Sequence, residues 1–181
     1  DVRRRGTTLL LDEFYSHFIY EADGTPAPGP VSAAAHVEDV ERDPVVMFDG
    51  LTKCFRYPGW RVGWALGPSR FIEAMSRTAS ALDGGPSRPV QRAALRVLEP
   101  TSADQETTAL RATFARKRAL MVERLTAMGV KPAPGRATFY VWASLEGLKP
   151  PFDEAMAFFR RALERKVMPV TGEFFDVNPG K

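Results

Sequence analysis

Short apolar runs separated by turn residues mark the first third of the chain. Three of these runs are β-prone, at residues 7–11, 45–48 and 61–66. Runs of this length predict β-strands, and a run without polar alternation is typical of a buried parallel strand. The first run is followed by Asp12 and Glu13. Because ligands of open α/β sheets bind at the carboxyl ends of the strands, we expect a functional site at this end.

Helical periodicity dominates the middle of the chain. Apolar positions recur with a helical period in three segments, 71–82, 90–98 and 110–128. This pattern predicts amphipathic helices. Gly84, Gly85 and Pro86 break the first helix from the second, because glycine and proline favour turns. The third helix is expected to begin near Ser102, a capping residue, and to stop at Gly129.

The last third of the chain has the pattern of a small α+β unit. It predicts a strand over 138–142, a helix over 152–163 and an extended segment over 167–170. We therefore expect an α/β fold: a mostly parallel sheet with flanking helices over residues 1–100. A small α+β domain that includes the long linking helix is expected over residues 101–181.

Composition indicates a packed globular protein with a mixed surface. Of the 181 residues 44% are hydrophobic and 26% are charged, with a net charge of +3. Basic and acidic residues are interspersed, so no nucleic-acid partner is predicted. No apolar run approaches the roughly 20 residues that span a bilayer, and the start lacks a signal-peptide pattern. The single cysteine, Cys54, fits a reducing cytoplasm, and with His17 and His36 it lacks metal-ligand spacing.

Candidate chemistry is concentrated in two segments. Residues 49–64 read DGLTKCFRYPGWRVGW, in which Lys53 is followed eight positions later by Arg61 inside a glycine-punctuated turn. Residues 12–15 read DEFY and directly follow the first predicted strand. An amine, a guanidinium and a carboxylate are thus all expected near strand ends.

Together these segments resemble the class I/II aminotransferases of fold type I, which depend on pyridoxal 5'-phosphate (PLP). The pattern of that family is D-x-x-Y on one strand, then S-x-S/T-K-x(7)-R-x-G. Further matches follow in family order: Pro89-x-Gln91-x-Ala93-Ala94, Phe139-Tyr140-x-Trp142 and Pro169-x-x-Gly172-x-x-Phe175. Each match alone is weak, whereas five in order make a strong joint signal.

The resemblance implies a role for each candidate residue. Lys53 would hold PLP as a Schiff base and act as the catalytic base, and Asp12 would face the pyridine nitrogen. Tyr15 would donate to the ring oxygen, and Arg61 would bind the phosphate, which a guanidinium meets bidentately. Thr52 would keep a hydroxyl near the phosphate. The implied reaction moves an amino group between an amino acid and a 2-oxo acid, in a cytoplasmic homodimer.

One departure from the family pattern is Gly50. The family has serine three positions before the lysine as a phosphate ligand, so one hydroxyl contact is missing or replaced here. Plainer interpretations stand beside the functional ones. A lone loop lysine is usually a solvated charge, Asp12 could cap a turn, Tyr15 could be a core residue, and Arg61 could form a surface ion pair.

Two other functions use the same pattern. Lyase or synthase chemistry on amino acids employs the same residues, and a transcription regulator can carry an aminotransferase-like sensor domain that binds PLP without turnover. The resemblance also implies that the family's N-terminal half lies outside these 181 residues. It places the arginine that binds the substrate carboxylate just beyond residues 178–181. We therefore expect weak or no activity from the isolated chain.

Overall fold

A computed structural model describes residues 2–175 of the chain. Its main sheet has the order β1-β2-β3. The strands are β1 (Leu9–Asp12), β2 (Val45–Gly50) and β3 (Gly63–Leu66). All three predicted strands are confirmed, with bounds shifted by a few residues. The expected parallel pairing joins β1 to β2, whereas β3 runs antiparallel to β2. Residues 178–181, which precede the expected carboxylate-binding arginine, lie outside the described residues.

The exposure of β1 differs from the prediction. Leu9 and Leu10 are 39% and 61% exposed, so the expectation of a buried strand was wrong for this chain. An apolar run predicts a strand, but the burial of that strand depends on the elements packed over it. The sequence of the run does not specify those elements. By contrast, Val46 and Met47 of the central strand β2 are buried.

The core beside the sheet is built from the segments that follow β1 and β2. Phe18, Leu51 and Cys54 are almost completely buried there. Phe18 packs edge-on against Phe114, with ring centroids 5.1 Å apart. Burying such side chains contributes about 1.5–3 kcal/mol each, which fixes the loops that follow the two strands.

The helices follow the predicted periodicity. They are α1 (Val2–Arg5), α2 (Ser69–Leu82), α3 (Arg88–Val97), α4 (Pro100–Ala127) and α5 (Ala155–Glu164). Among the described residues, 3-10 turns lie at Ala33–His36, Pro58–Trp60 and Gly172–Phe175. Gly84 and Gly85 have φ of 69° and 77°, which explains the break between α2 and α3. Along residues 2–175 no helix is both long and apolar enough to cross a membrane.

Helix α4 ends in a Schellman motif. Gly129 has φ of 84°, its N–H donates to Thr126 O, and the N–H of Val130 donates to Leu125 O. Glycine suits the left-handed residue that this motif requires, so the predicted stop at Gly129 is confirmed. The only difference is the start, at Pro100 rather than Ser102.

The chain divides into two compact units. The first comprises Asp1–Ala115 and Arg136–Thr138, and the second Arg116–Gly135 and Phe139–Lys181. The division therefore falls inside α4. The domain boundary expected after residue 100, where α4 begins, stays a prediction.

The second unit has less strand than its sequence predicts. Its ladder joins β4 (Lys131–Pro132) to β5 (Ala143–Ser144), so the strand expected over 138–142 was wrong, and residues 167–170 form no regular element. The two ends of the 138–142 run bond to different segments, since the N–H of Thr138 donates to Phe18 O and Trp142 O accepts from the N–H of Ala133. Trp142 instead packs edge-on against Phe175, with ring centroids 5.8 Å apart.

Candidate active site

The ends of β1 and β2 bring three carboxylates to one edge of the sheet. Asp12 is paired with Phe48 in the parallel register, and the N–H of Glu13 donates to Phe48 O at 2.8 Å. Asp49 is the next residue along β2. The two strands thus end side by side. Asp12 lies at a strand end, as the sequence predicted.

Asp49 is half-buried within this group of carboxylates. The pKa of its carboxyl is raised to about 6, chiefly by burial; a hydrogen bond from the N–H of Gly50 lowers it, and the neighbouring charges of Glu13 and Asp12 make smaller increases. Burial and, to a smaller extent, the nearby negative charges disfavour ionisation of Asp49, so this edge of the sheet would favour a bound cation.

Glu13 is held by groups from a distant segment. Its carboxylate accepts hydrogen bonds from the hydroxyl of Ser32 at 2.5 Å and from the N–H of Ala33 at 2.8 Å. The carboxylate of Asp12 is exposed and accepts from the N–H of Phe14 at 3.2 Å. Of the two adjacent acids, Glu13 is therefore tied into the fold, while Asp12 faces outward at the strand end.

Lys53 lies in a loop that closes on itself after β2. The N–H of Leu51 donates to Val62 O at 3.0 Å, and the N–H of Tyr57 donates to Leu51 O at 2.9 Å. Within this closed loop Lys53 is half-buried, and its Nζ lies 5.8 Å from the centroid of the Tyr15 ring. The structure therefore brings together two of the residues that the sequence singled out.

Arg61 and Thr52 lie in the same closed loop. Arg61 is exposed and adopts the left-handed conformation at φ of 54°, and its Nη1 donates to Pro58 O at 2.9 Å. Thr52 is half-buried directly before Lys53. Arg61 thus bonds within its own turn, and the phosphate roles of Arg61 and Thr52 stay predictions.

Gly50, the departure from the family pattern, has a steric cause. It pairs with Gly63 across β2 and β3. A Cβ on Gly50 would lie 2.7 Å from both Gly63 Cα and Val62 O. It would also lie 2.9 Å from Cε1 of the Phe14 ring. These distances are shorter than any ordinary contact, so this backbone leaves no room for the serine of the family pattern.

Sequence reasoning gave no individual role to three residues of this region, namely Glu13, Phe14 and Asp49. The signal was present for the two acids, because Asp49 directly follows the second predicted strand just as Asp12 and Glu13 follow the first. No sequence pattern indicated that the Phe14 ring covers the glycine pair. Cys54, expected to be a small buried residue, is fully buried as expected.

Comparison with known proteins gives a consistent result. The profile of the family described as Aminotransferase class I and II matches residues 2–181. The aspartate/prephenate aminotransferase of Thermus thermophilus is 34% identical over 168 residues, which cover 92% of this chain and 40% of that protein. The LL-diaminopimelate aminotransferase of Desulforudis audaxviator is 29% identical, over 93% of this chain and 40% of that protein.

A solved structure shares the fold. A mutant aspartate aminotransferase of Thermus thermophilus superposes with a TM-score of 0.80 at 28% identity, over 96% of this chain and 42% of that one. The α/β fold class predicted from the sequence is thus confirmed. The chain spans about two fifths of the length of these relatives. Since the family profile extends over essentially every residue, including the strand ends and the lysine loop, this chain belongs to the aminotransferase class I and II family.

Proposed function

We propose that the protein containing this chain is a PLP-dependent aminotransferase that moves an amino group between an amino acid and a 2-oxo acid. The observation that carries the proposal is the placement of the Lys53 amine 5.8 Å from the Tyr15 ring centroid, in a closed loop beside the strand end that bears Asp12. Membership of the aminotransferase class I and II family supports the same reaction class.

The residues of this edge of the sheet fit the proposed cofactor. When bound, PLP supplies an aldehyde that a lysine amine can attach to and a pyridinium ring that withdraws electrons from the substrate Cα. The charges of Glu13 and Asp12 disfavour ionisation of Asp49, and a cationic ring nitrogen beside them would relieve that effect. The donor set of amine, carboxylate, phenol and guanidinium therefore matches the chemistry of the group.

Lys53 is the proposed catalytic residue. Its half-buried amine holds the cofactor and, once displaced by the substrate amine, takes a proton from the substrate Cα at Nζ. The face of the Tyr15 ring stabilises a charged ammonium by a cation–π interaction worth about 0.5–1 kcal/mol. Tyr15 would in addition donate a hydrogen bond from its phenol to the ring oxygen of the cofactor.

The remaining residues orient the cofactor. Asp12, exposed at the strand end, holds the proton on the pyridine nitrogen. Arg61 binds the phosphate after exchanging its contact with Pro58 O, and Thr52 contributes a hydroxyl. Gly50 contributes no hydroxyl, so more of the phosphate binding depends on Arg61 and Thr52 than in the family pattern.

The assembly and the substrates are further parts of this proposal. The family resemblance supports a cytoplasmic homodimer, and the lone cysteine, which is free and buried, fits a reducing compartment. The first amino donors to test are aspartate and LL-diaminopimelate, since relatives are named for them.

Turnover with product analysis tests the proposal. The protein containing this chain should, with added PLP, convert an amino donor and a 2-oxo acid into the matching keto acid and amino acid. Lys53→Ala should abolish that conversion, whereas Lys149→Ala, at an exposed lysine of the second unit, should not. An eliminated group instead of a keto acid would assign lyase chemistry, and PLP binding without turnover would assign a sensor role.

A further inference from the structure

The thiol of Cys54 joins the lysine loop to the segment that carries Tyr15. Cys54 directly follows Lys53 and has no exposed surface. Its Sγ donates to Phe14 O at 3.1 Å, across 40 positions of sequence. The backbone of His17 and the side chain of Ser16 lie near enough to the sulfur to lower its pKa, against the larger effect of burial. One side chain of the lysine loop thus bonds to the segment 14–17 and lies beside two more of its residues.

These contacts surround Tyr15 in sequence. Phe14, which bonds to the sulfur, lies before it, and Ser16, which lies near the sulfur, follows it. The segment 14–17 is a turn rather than a strand, closed by the N–H of Ser16 donating to Glu13 O and that of Phe18 donating to Tyr15 O. A turn takes its position from such side-chain contacts, because it has no ladder to fix it.

Phe14 is held from a second direction as well. Its ring lies over the Gly50 and Gly63 pair, where Cε1 is 2.9 Å from the place that a Cβ on Gly50 would occupy. The Phe14 carbonyl is bonded to Cys54 and the Phe14 ring is packed on the strands that lead to the lysine loop. Little freedom remains for the next residue, Tyr15.

From this geometry we propose that Cys54 is a positioning residue: its buried thiol ties residues 14–17 to the lysine loop and so holds the Tyr15 ring beside the Lys53 amine. The inference rests on the proposed function for its catalytic meaning. The placement itself concerns two side chains of this chain, and it can be tested with or without PLP.

The Cys54 thiol remains a hydrogen-bond donor at neutral pH. Burial raises the pKa of Cys54 to about 11, so the sulfur keeps its proton at neutral pH and remains a donor to Phe14 O. A buried, protonated thiol is a poor nucleophile, so the role of Cys54 is structural positioning rather than covalent catalysis.

The test compares Cys54→Val, which keeps the bulk but has no donor, with Cys54→Ser, which keeps a donor. In the protein containing this chain with bound PLP, the visible absorbance is titrated against pH. Tyr15→Phe defines the shift that results from losing the phenol. We expect Cys54→Val to move the midpoint by about 0.5 unit or more in the same direction, with about a threefold fall in kcat and little change in KM. Cys54→Ser should keep the wild-type midpoint.

A second measurement needs no cofactor. Competitive acetylation of the PLP-free protein compares the labelling rate of Lys53 with that of Lys149, by peptide mass analysis. Cys54→Val should change the ratio of the two rates and Cys54→Ser should restore it. Cys54→Ala, a smaller change, replaces the valine variant if thermal melting shows that the latter does not fold.

Three outcomes overturn the inference. The valine and alanine variants could titrate and label like the wild type, they could lose thermal stability without moving either readout, or the serine variant could shift as far as valine. If no form of the protein binds PLP, the proposed function fails, and the acetylation ratio alone then decides on the placement of Tyr15 beside Lys53.

Discussion

A side chain at Gly50 should destabilise the junction of β2 and β3. In Gly50→Ala the new Cβ would lie 2.7 Å from Gly63 Cα and from Val62 O, whereas carbon atoms in contact are normally about 3.5–4.0 Å apart. Two of the three crowded groups are backbone of the neighbouring chain segment, which cannot rotate away. The strands would have to separate by about 1 Å, since that is the shortfall from an ordinary contact.

The cost follows from this overlap. Overpacking of a well-packed site costs about 1–3 kcal/mol, and we expect the upper part of that range because the pair cannot relax by changing a rotamer. Gly50→Ser, which restores the serine of the family pattern, should cost at least as much. For a chain of this length, about 3 kcal/mol lowers the melting temperature by roughly 6–12 °C.

Thermal unfolding followed by circular dichroism measures the effect. Gly29→Ala is the matched control in the same unit, because a Cβ there meets nothing within 4 Å. The control should melt within about 1 °C of the wild type, as is usual for surface changes of this kind. The steric argument would be refuted if Gly50→Ala or Gly50→Ser melted as high as the control, or if the serine variant gained PLP affinity without losing stability.

Three further predictions follow from single residues. Folding raises the pKa of Asp49 from 3.8 to about 6. Between about pH 4 and 6 the folded chain therefore binds more protons than the unfolded chain. The stability that this group contributes falls as pH rises through that window. Asp49→Asn should remove this pH dependence, which amounts to about 1 kcal/mol in the free energy of unfolding after allowance for solvent screening. Urea unfolding measured against pH would contradict this if variant and wild type gave parallel curves. Gly129→Ala should cost about 1–2 kcal/mol in denaturant unfolding because φ is 84°, whereas an unchanged midpoint would show that the helix end adapts. Arg61→Ala should weaken PLP binding at least tenfold in equilibrium dialysis, and Arg61→Lys should weaken it somewhat less. If neither variant changed the affinity, Arg61 would only stabilise its own turn and would not bind the phosphate.

The sequence predicted the elements of the first unit well because their signals are local. Apolar runs placed β2 within two residues of its observed end, and the glycine after α4 predicted a helix stop that a Schellman motif confirms. The prediction failed over 138–142, because the two ends of this run bond to different segments: the N–H of Thr138 donates to Phe18 O, and Trp142 O accepts from the N–H of Ala133. Pairing is a long-range property, and residue preference alone does not contain it.

The candidate site was predictable in its residues but only partly in its surroundings. The motif placed Lys53 and Tyr15 together, and the structure does so as well. Neither the elevated pKa of Asp49 nor the contact of Cys54 with Phe14 could be read from the sequence, because both depend on groups that only the fold brings near. The steric reason for Gly50 likewise requires the register of β2 and β3.

Chemical mapping of the cofactor link shows which lysine holds PLP. The protein containing this chain is incubated with PLP, reduced with borohydride to make the link permanent, digested and analysed by peptide mass spectrometry. We expect a pyridoxyl phosphate adduct on the peptide that contains Lys53, and loss of that adduct in Lys53→Ala. An adduct on a different lysine, or an unchanged yield of labelled protein from Lys53→Ala, would contradict it.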